Sequence, residues 1–158
     1  MEFYKAFFIA VIDEDYEGKN KAGRGMRNLA QAIEREGFRV IGGITYADAR
    51  RLVNVFTAES CWLISVDGIE DSATRWDVLA EVLAAKRSRS NRLPIFLFGD
   101  ETTAEIVPVN VLHYANTYMR LFEGSAEFMA RAIVTDARNY LERLQGYCSS
   151  RADEGCHA

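Results

Sequence analysis

The stretch that decides the fold is Ala6-Phe-Phe-Ile-Ala-Val-Ile12, followed at once by Asp13-Glu14-Asp15. Strands buried on both faces of a parallel sheet read as continuous apolar runs of this kind. Polar residues just past the carboxyl ends of such strands line the crevice where these folds bind ligands. Two later apolar runs also end in acid: Cys61–Val66 precedes Asp67, and Leu93–Phe98 precedes Gly99 and Asp100. The pattern predicts a parallel sheet with acidic side chains at its carboxyl edge.

Length, composition and net charge limit the kinds of protein that this chain can be. The 158 residues suit one domain, and 49% hydrophobic with 27% charged residues is ordinary for a globular chain. A net charge of −4 argues against a nucleic-acid partner, which favours a basic surface. No apolar run approaches the ~20 residues of a membrane span, and no signal peptide is visible. We therefore expect a cytoplasmic protein with neither nucleic acid nor membrane as a partner.

The three cysteines are an odd number and do not form a disulfide framework. Cys61 lies within an apolar run and is predicted to be a small core residue. Cys148 and Cys156 lie in a polar tail, where two unpaired thiols in a reducing compartment are expected.

Strands and helices alternate along the chain. The predicted strands are about Lys5–Ile12, Arg39–Thr45 (broken by Gly42-Gly43), Cys61–Val66, the run after Pro94, and Asn116–Phe122. The aromatic residues near the start of the chain are expected to be mostly core, with some available for an oligomer contact: Phe3, Tyr4, Phe7 and Phe8.

The helices are predicted from apolar residues at helical spacing. Residues 16–25 read as a glycine-rich loop before a helix that ends at Glu36. A second helix spans about Ala47–Thr57, and a third begins at the N-cap Ser72 and ends in a basic, solvated segment, 86–92. The last helix keeps one apolar face from Ala126 to Leu144. We therefore predict one domain, residues 1–145, and a disordered tail, 146–158.

Five strands alternating with helices predict an α/β fold with helices on both faces of a parallel sheet. The commonest doubly wound solution at this size is the flavodoxin-like or receiver-like order 2-1-3-4-5, with a switch point beside strands one and three. That order brings Asp13, Asp15 and Asp67 together as an acidic cluster at the ends of the strands.

The acids resemble those of response-regulator receivers, which hold Mg²⁺ with an acidic pair and phosphorylate the aspartate that follows strand three. A receiver also needs a Ser or Thr after strand four and a Lys after strand five, where they stabilise charge on the phosphoryl group. Here Gly99 and Asp100 take the hydroxyl's place, Thr102 comes late, and Arg120 is the nearest substitute for the lysine. A divergent receiver with Asp67 as phosphoacceptor stays the alternative function.

A more specific resemblance covers about Phe3 to Leu144. The segments Ile12–Tyr16, Ala22–Phe38, Leu93–Gly99 and Leu121–Ile133 resemble the N-terminal wing domain of bacterial ornithine/lysine/arginine decarboxylases. The last two segments are the most specific, because receivers carry Lys-Pro-Phe there.

The resemblance implies a receiver-like domain that carries no catalytic residue and helps to assemble the enzyme into larger rings. Its expected partners are further copies of itself and a decarboxylase catalytic chain. Pyridoxal phosphate would belong to that catalytic domain, so no cofactor is expected here. Where the family continues Pro-Pro-Phe-Phe, this sequence has Gln145-Gly-Tyr-Cys, and no Ser-x-His-Lys segment follows. The expectation is a freestanding paralogue of the wing or the product of a cut gene.

The remaining candidate site is the basic, glycine-rich loop. Lys19, Lys21, Arg24 and Arg27 place positive charge near a helix N-terminus and are the candidate anion-binding residues. The P-loop and dinucleotide-binding glycine patterns are both absent. The two histidines and the cysteines do not have zinc-ligand spacing, so no metal site and no catalytic residue are predicted.

Overall fold

One parallel sheet forms the centre of the fold. The computed structural model describes residues 6–54, 58–67, 73–120 and 126–150. The sheet has the order β2-β1-β3-β4-β5, which confirms the predicted topology. Its strands are β1 (Phe8–Ile12), β2 (Val40–Ile44), β3 (Glu59–Ser65), β4 (Ile95–Phe98) and β5 (Thr117–Met119).

Helices cover both faces of this sheet. They are α1 (Lys21–Arg35), α2 (Tyr46–Val53), α3 (Ala73–Arg89), α4 (Glu101–Ile106), α5 (Val109–Leu112) and α6 (Ala126–Ser150). Helix α1 packs against α6, while α2 packs against α3 and α3 against α5. Right-handed crossovers place these two groups on opposite faces. Within the described residues, no helix combines the length and apolar character needed to cross a membrane.

The core is centred on β3, in which every residue is buried, including the free Cys61. The strand pairs with β1 on one side and β4 on the other, so its side chains meet helices from both faces. Near the start of the chain, Phe7 is buried and Phe8 is half-buried. Lys5, Phe3, Tyr4 and Ser72 lie outside the described residues, as does the tail after Ser150.

Several element boundaries differ from the prediction. Strand β2 spans Gly42-Gly43, but its pairing with β1 shifts there, since Ala10 pairs with Ile41 and Ile12 with Ile44, so the predicted interruption is present as a local irregularity. Strand β5 is limited to Thr117–Met119 among the described residues. Helix α2 ends at Val53, where Asn54 is the C-cap. Helix α6 continues past Leu144, where its apolar periodicity ends, to Ser150.

At the basic end of α3, Lys86 is buried and Arg87 is half-buried, contrary to the prediction of a solvated segment, whereas Arg89 and Arg92 are exposed as predicted. The Lys86 ammonium lies 3.4 Å from the Glu59 carboxylate, and the two side chains are 8% and 1% exposed. It also lies 5.1 Å from the centre of the Trp62 ring, whose Nε1–H donates to Glu59 at 3.3 Å. Arg87 donates to the Tyr114 carbonyl and to Asn116 Oδ1, both at 2.8 Å. Tertiary contacts therefore engage the charged side chains of Lys86 and Arg87, which the sequence periodicity placed in solvent.

Candidate functional site at the carboxyl edge of the sheet

Asp13 lies at the carboxyl end of the central strand β1. Its residue is only 3% exposed, since the adjacent strands and the following loop enclose it. The Asp15 N–H donates to Asp13 Oδ1 at 2.9 Å. Asp13 Oδ2 is buried and has no hydrogen-bond partner within the described ranges. Half of this carboxyl group is therefore desolvated without compensation.

Burial raises the pKa of the Asp13 carboxyl from 3.8 to about 6. The hydrogen bond from the Asp15 N–H opposes this effect, while the charges of Asp15 and Asp67 add to it. Arg27 lowers the pKa of Asp13, but less than burial raises it. The fold thus brings the three predicted acids into electrostatic contact, and the cluster binds a proton more tightly than an isolated aspartate does.

Asp67 joins the end of β3 to the start of α4. Its Oδ1 accepts from the Asp100 N–H at 3.0 Å and from the Thr103 hydroxyl at 3.1 Å. Asp100 is the N-cap of α4, because its Oδ1 accepts from the Thr103 N–H at 2.7 Å. The Asp67 carboxylate therefore already supports the loop after β4.

The hydroxyl that follows strand β4 belongs to Thr103, a residue that the sequence interpretation missed. The sequence pointed to Thr102 as a late hydroxyl, yet it is the fully buried Thr103 that faces Asp67. The available signal was the N-cap pattern Asp100-x-x-Thr103, which directs the residue at the third helical position back toward the cap.

Tyr118 is the second residue of this edge that sequence reasoning missed. Its hydroxyl donates to the Asp100 carbonyl at 2.8 Å, so the side chain extends from β5 across the end of β4. Gly99 makes this possible. A Cβ at Gly99 would lie 2.1 Å from the Tyr118 hydroxyl oxygen and 3.0 Å from Asp67 Oδ1. Arg120, the candidate substitute for a receiver lysine, is half-buried directly after β5.

The acidic cluster does not form a metal centre in the part of the chain that the structure describes. Nowhere in those ranges do three His, Cys, Asp or Glu side chains come together as a set that could hold an ion. The carboxylates instead hold loops: Asp13 binds the Asp15 amide, and Asp67 binds the start of α4.

The predicted anion site divides into one structural residue and three exposed ones. The Arg27 guanidinium donates to the carbonyls of Tyr16 and Gly18, the latter at 2.7 Å, and so holds the loop after β1. Arg27 is therefore not a free anion ligand. Lys19, Lys21 and Arg24 are exposed, and the side chain of Asn20 caps the N-terminus of α1.

Helix α1 begins at Lys21, earlier than predicted, because Gly23 fits where no side chain can. The Gly23 N–H donates to Asn20 Oδ1 at 2.7 Å. A Cβ at Gly23 would lie 2.3 Å from the Asp15 carbonyl oxygen, which is backbone and cannot rotate away. A glycine-rich sequence that reads as loop is thus the first turn of a helix docked on the preceding loop.

Gly23→Ala is expected to lower the free energy of unfolding by about 2 kcal/mol, since the added methyl group overpacks a buried contact. The matched control is Gly146→Ala, also helical, where no atom lies within 4 Å of the added Cβ. There the change should raise stability by up to about 1 kcal/mol through helix propensity. Urea denaturation of both variants measures the contrast, and equal effects at the two positions would contradict the docked first turn.

The doubly wound sheet with acids at its carboxyl edge places the chain in the receiver-like class of α/β domains. A response regulator receiver domain from Clostridium thermocellum superposes with a TM-score of 0.57 at 13% identity, covering 89% of this chain and 97% of that one. At this level of identity the likeness shows the fold alone.

The sequence assigns the family within that class. The family described as Orn/Lys/Arg decarboxylase, N-terminal domain, matches residues 22–140, and the chain belongs to this family. The predicted resemblance is confirmed by this match.

One curated relative and two solved structures illustrate the likeness. Lysine decarboxylase LdcA of Pseudomonas aeruginosa is 28% identical over 141 residues, which are 87% of this chain and 19% of that protein. The structure of lysine decarboxylase A from Pseudomonas aeruginosa has a TM-score of 0.76 at 24% identity, covering 97% of this chain. Lysine decarboxylase LdcF of Francisella novicida follows with a TM-score of 0.66 at 11% identity, covering 86% of this chain. The chain spans about a fifth of the length of these decarboxylases.

Proposed function

We propose that this chain is a non-catalytic assembly or regulatory domain of the decarboxylase type, which associates with copies of itself and with a decarboxylase catalytic chain. The observation that carries the proposal is the match of residues 22–140 to the N-terminal domain of that family. The pyridoxal phosphate chemistry of such an enzyme would then belong to the catalytic chain and not to this one.

The geometry of the carboxyl edge supports a structural role for its charged residues. Asp67 holds the first turn of α4, and Arg27 holds the carbonyls of the loop after β1. A catalytic acid or nucleophile must instead be presented to a substrate within hydrogen-bond reach. Tyr118 crosses the end of β4, and its hydroxyl is engaged with the Asp100 carbonyl.

The proposed function predicts reversible self-association of the purified chain. Closed two-fold pairs are the commonest arrangement of soluble homo-oligomers, so a dimer is the expected species. Sedimentation velocity from low to high micromolar concentration should show a weight-average mass that rises with concentration. A strict monomer throughout that range would contradict assembly through copies of this chain.

The alternative, a divergent receiver, has one observation in its favour. The Thr103 hydroxyl lies 3.1 Å from Asp67 Oδ1, near where a receiver places a hydroxyl beside its phosphoacceptor. Against it, Asp67 Oδ1 accepts two hydrogen bonds that a phosphoryl group would disturb, since Asp100 and Thr103 belong to the start of one helix.

Asp67 is therefore expected to remain unmodified when the chain is incubated with acetyl phosphate and Mg²⁺. Intact-mass spectrometry should find no added phosphoryl group under conditions that phosphorylate an authentic receiver in the same tube. A stoichiometric adduct that disappears in Asp67→Asn would instead establish the receiver alternative.

A further inference from the structure

The loop between β1 and α1, residues 13–20, links Asp13 to an edge of the sheet. Its Tyr16 ring lies against the glycine pair of β2. A Cβ at Gly42 would lie 2.6 Å from the Tyr16 hydroxyl oxygen, and a Cβ at Gly43 would lie 3.5 Å from Tyr16 Cδ2. Strand β2 is at one edge of the sheet, and its register with β1 shifts at these glycines. The ring therefore fills the place of two missing side chains at an irregular point of an edge strand.

Arg27 of α1 fixes the part of this loop that carries Tyr16. One nitrogen of its guanidinium, Nη1, donates to the carbonyls of Tyr16 and Gly18, the latter at 2.7 Å. The same guanidinium acts on the Asp13 carboxyl, whose pKa it lowers. A guanidinium interacts more strongly with a carboxylate than with neutral carbonyls, and the difference grows where water is excluded. Two kinds of acceptor therefore compete for one cation.

The acidic acceptor has no donor for one of its oxygens. Asp13 Oδ2 is buried and has no hydrogen-bond partner within the described residues, while Oδ1 accepts from the Asp15 N–H at 2.9 Å. A neutral carboxyl group tolerates such a place better than a carboxylate does, because burying an unpaired charge costs far more than burying an unpaired polar atom. The contacts in the structure are therefore those of the protonated form of Asp13.

The groups that face the Asp13 carboxyl come from the loop, α1, α2 and the end of β3. They are Asp15, Tyr16, Arg27, Tyr46 and Asp67. The two carboxylates oppose the ionisation of Asp13, and Arg27 favours it. Burial raises the pKa of both tyrosines above the ordinary value of 10.0, so neither changes its charge near neutral pH. When Asp13 loses its proton, Arg27 is therefore the cation that its buried charge attracts.

We propose that loss of the Asp13 proton draws the Arg27 guanidinium away from the loop carbonyls to Asp13 Oδ2, and that this exchange releases the Tyr16 ring from β2. One proton leaves for solvent and one ion pair forms. The Asp15 N–H keeps its bond to Oδ1. This switch is separate from the assembly role proposed above, since it needs neither a second copy nor a catalytic chain.

The two ends of the loop stay in place during the exchange. Glu14 Oε1 accepts from the Tyr46 N–H at 2.9 Å, and Asn20 caps α1, so only residues 16–19 need to move. Because burial raises the pKa of Asp13 from 3.8 to about 6, the ratio of released to covered molecules should rise by up to about 100-fold between pH 4 and pH 8. Each unit of the raised pKa corresponds to about tenfold.

Nuclear magnetic resonance of the full chain, labelled with ¹³C and ¹⁵N, tests the switch. The Asp13 Cγ shift reports the proton, and nuclear Overhauser effects from the Tyr16 ring to the Gly42 α protons report the covered state. These effects should be strong at pH 4.5 and weakened severalfold at pH 8, with the midpoint of the Asp13 titration. Asp13→Asn, which is neutral at every pH, should keep them at both values. Arg27→Gln should lose them at both.

Arg24→Gln is the matched control, because Arg24 is an exposed arginine in the same turns of α1. It should leave the pH dependence of the Tyr16 contact unchanged. If the Asp13 carboxyl titrates while the Tyr16 contact persists, or if Asp13→Asn keeps the pH dependence, the switch is overturned. Should Arg27→Gln fail to fold, the wild type and Asp13→Asn decide the question by themselves.

Discussion

Lys86→Met is expected to lower the free energy of unfolding by about 3–5 kcal/mol, the usual cost of removing one partner from a buried ion pair. The Glu59 carboxylate, whose side chain is 1% exposed, would keep its charge and lose the ammonium 3.4 Å away. The cation above the Trp62 ring would be lost as well. For a chain of this length, the loss corresponds to a fall of about 10 °C in Tm, measurable by differential scanning calorimetry.

The matched control is an ion pair of shorter distance but greater exposure. Arg50 donates to Glu81 at 2.7 Å, and the two side chains are 55% and 61% exposed. Arg50→Met should cost less than about 1 kcal/mol, because solvent screens an exposed pair. A loss in Lys86→Met as small as that in Arg50→Met would show that the buried charge of Lys86 contributes little, because methionine keeps most of the hydrocarbon chain.

A second variant separates charge from volume at the buried pair. Lys86→Met combined with Glu59→Gln removes both charges, while the amide oxygen can still accept from the Trp62 indole. Neutralising both partners leaves no unpaired charge in the core, so the double variant should recover much of the stability lost in Lys86→Met. A double variant less stable than the single one would contradict this account.

Stability should fall between about pH 4 and pH 7 because of Asp13. Its pKa is about 6 in the folded chain, above the ordinary value of 3.8, and burial is the main cause. In this window the folded chain binds more protons than the unfolded chain, so the free energy of unfolding decreases as the pH rises. Above about pH 7 the loss is complete and amounts to about 3 kcal/mol.

Asp13→Asn should remove this dependence. The asparagine can still accept from the Asp15 N–H, and it places a neutral group where the buried Oδ2 lies. We expect the variant to be more stable than the wild type at pH 8, with an advantage that shrinks by about 2 kcal/mol on going to pH 4.5, as measured by urea denaturation at each pH. Asp77→Asn, on the exposed side of α3, controls for net charge. Parallel curves for the wild type and Asp13→Asn would contradict the assignment.

The strand and helix pattern was predictable because it depends on short-range periodicity. Each central strand is a continuous apolar run, since both of its faces are covered, and α6 shows one apolar face for several turns. The positions of Asp13 and Asp67 followed from the same reasoning, because parallel strands end at a common edge.

What the sequence by itself determined is thus the parallel sheet, its order, the family of the chain and the acidic character of one edge. Only the tertiary structure decided which polar groups meet. Thr103 faces Asp67, Tyr118 covers Gly99, and Lys86 forms a buried ion pair with Glu59. The physical reason is distance along the chain: these contacts join residues 19 to 36 positions apart in sequence, and one of them depends on space left by a glycine. Periodicity reports which face of an element is buried, whereas pairing between elements depends on how those faces pack.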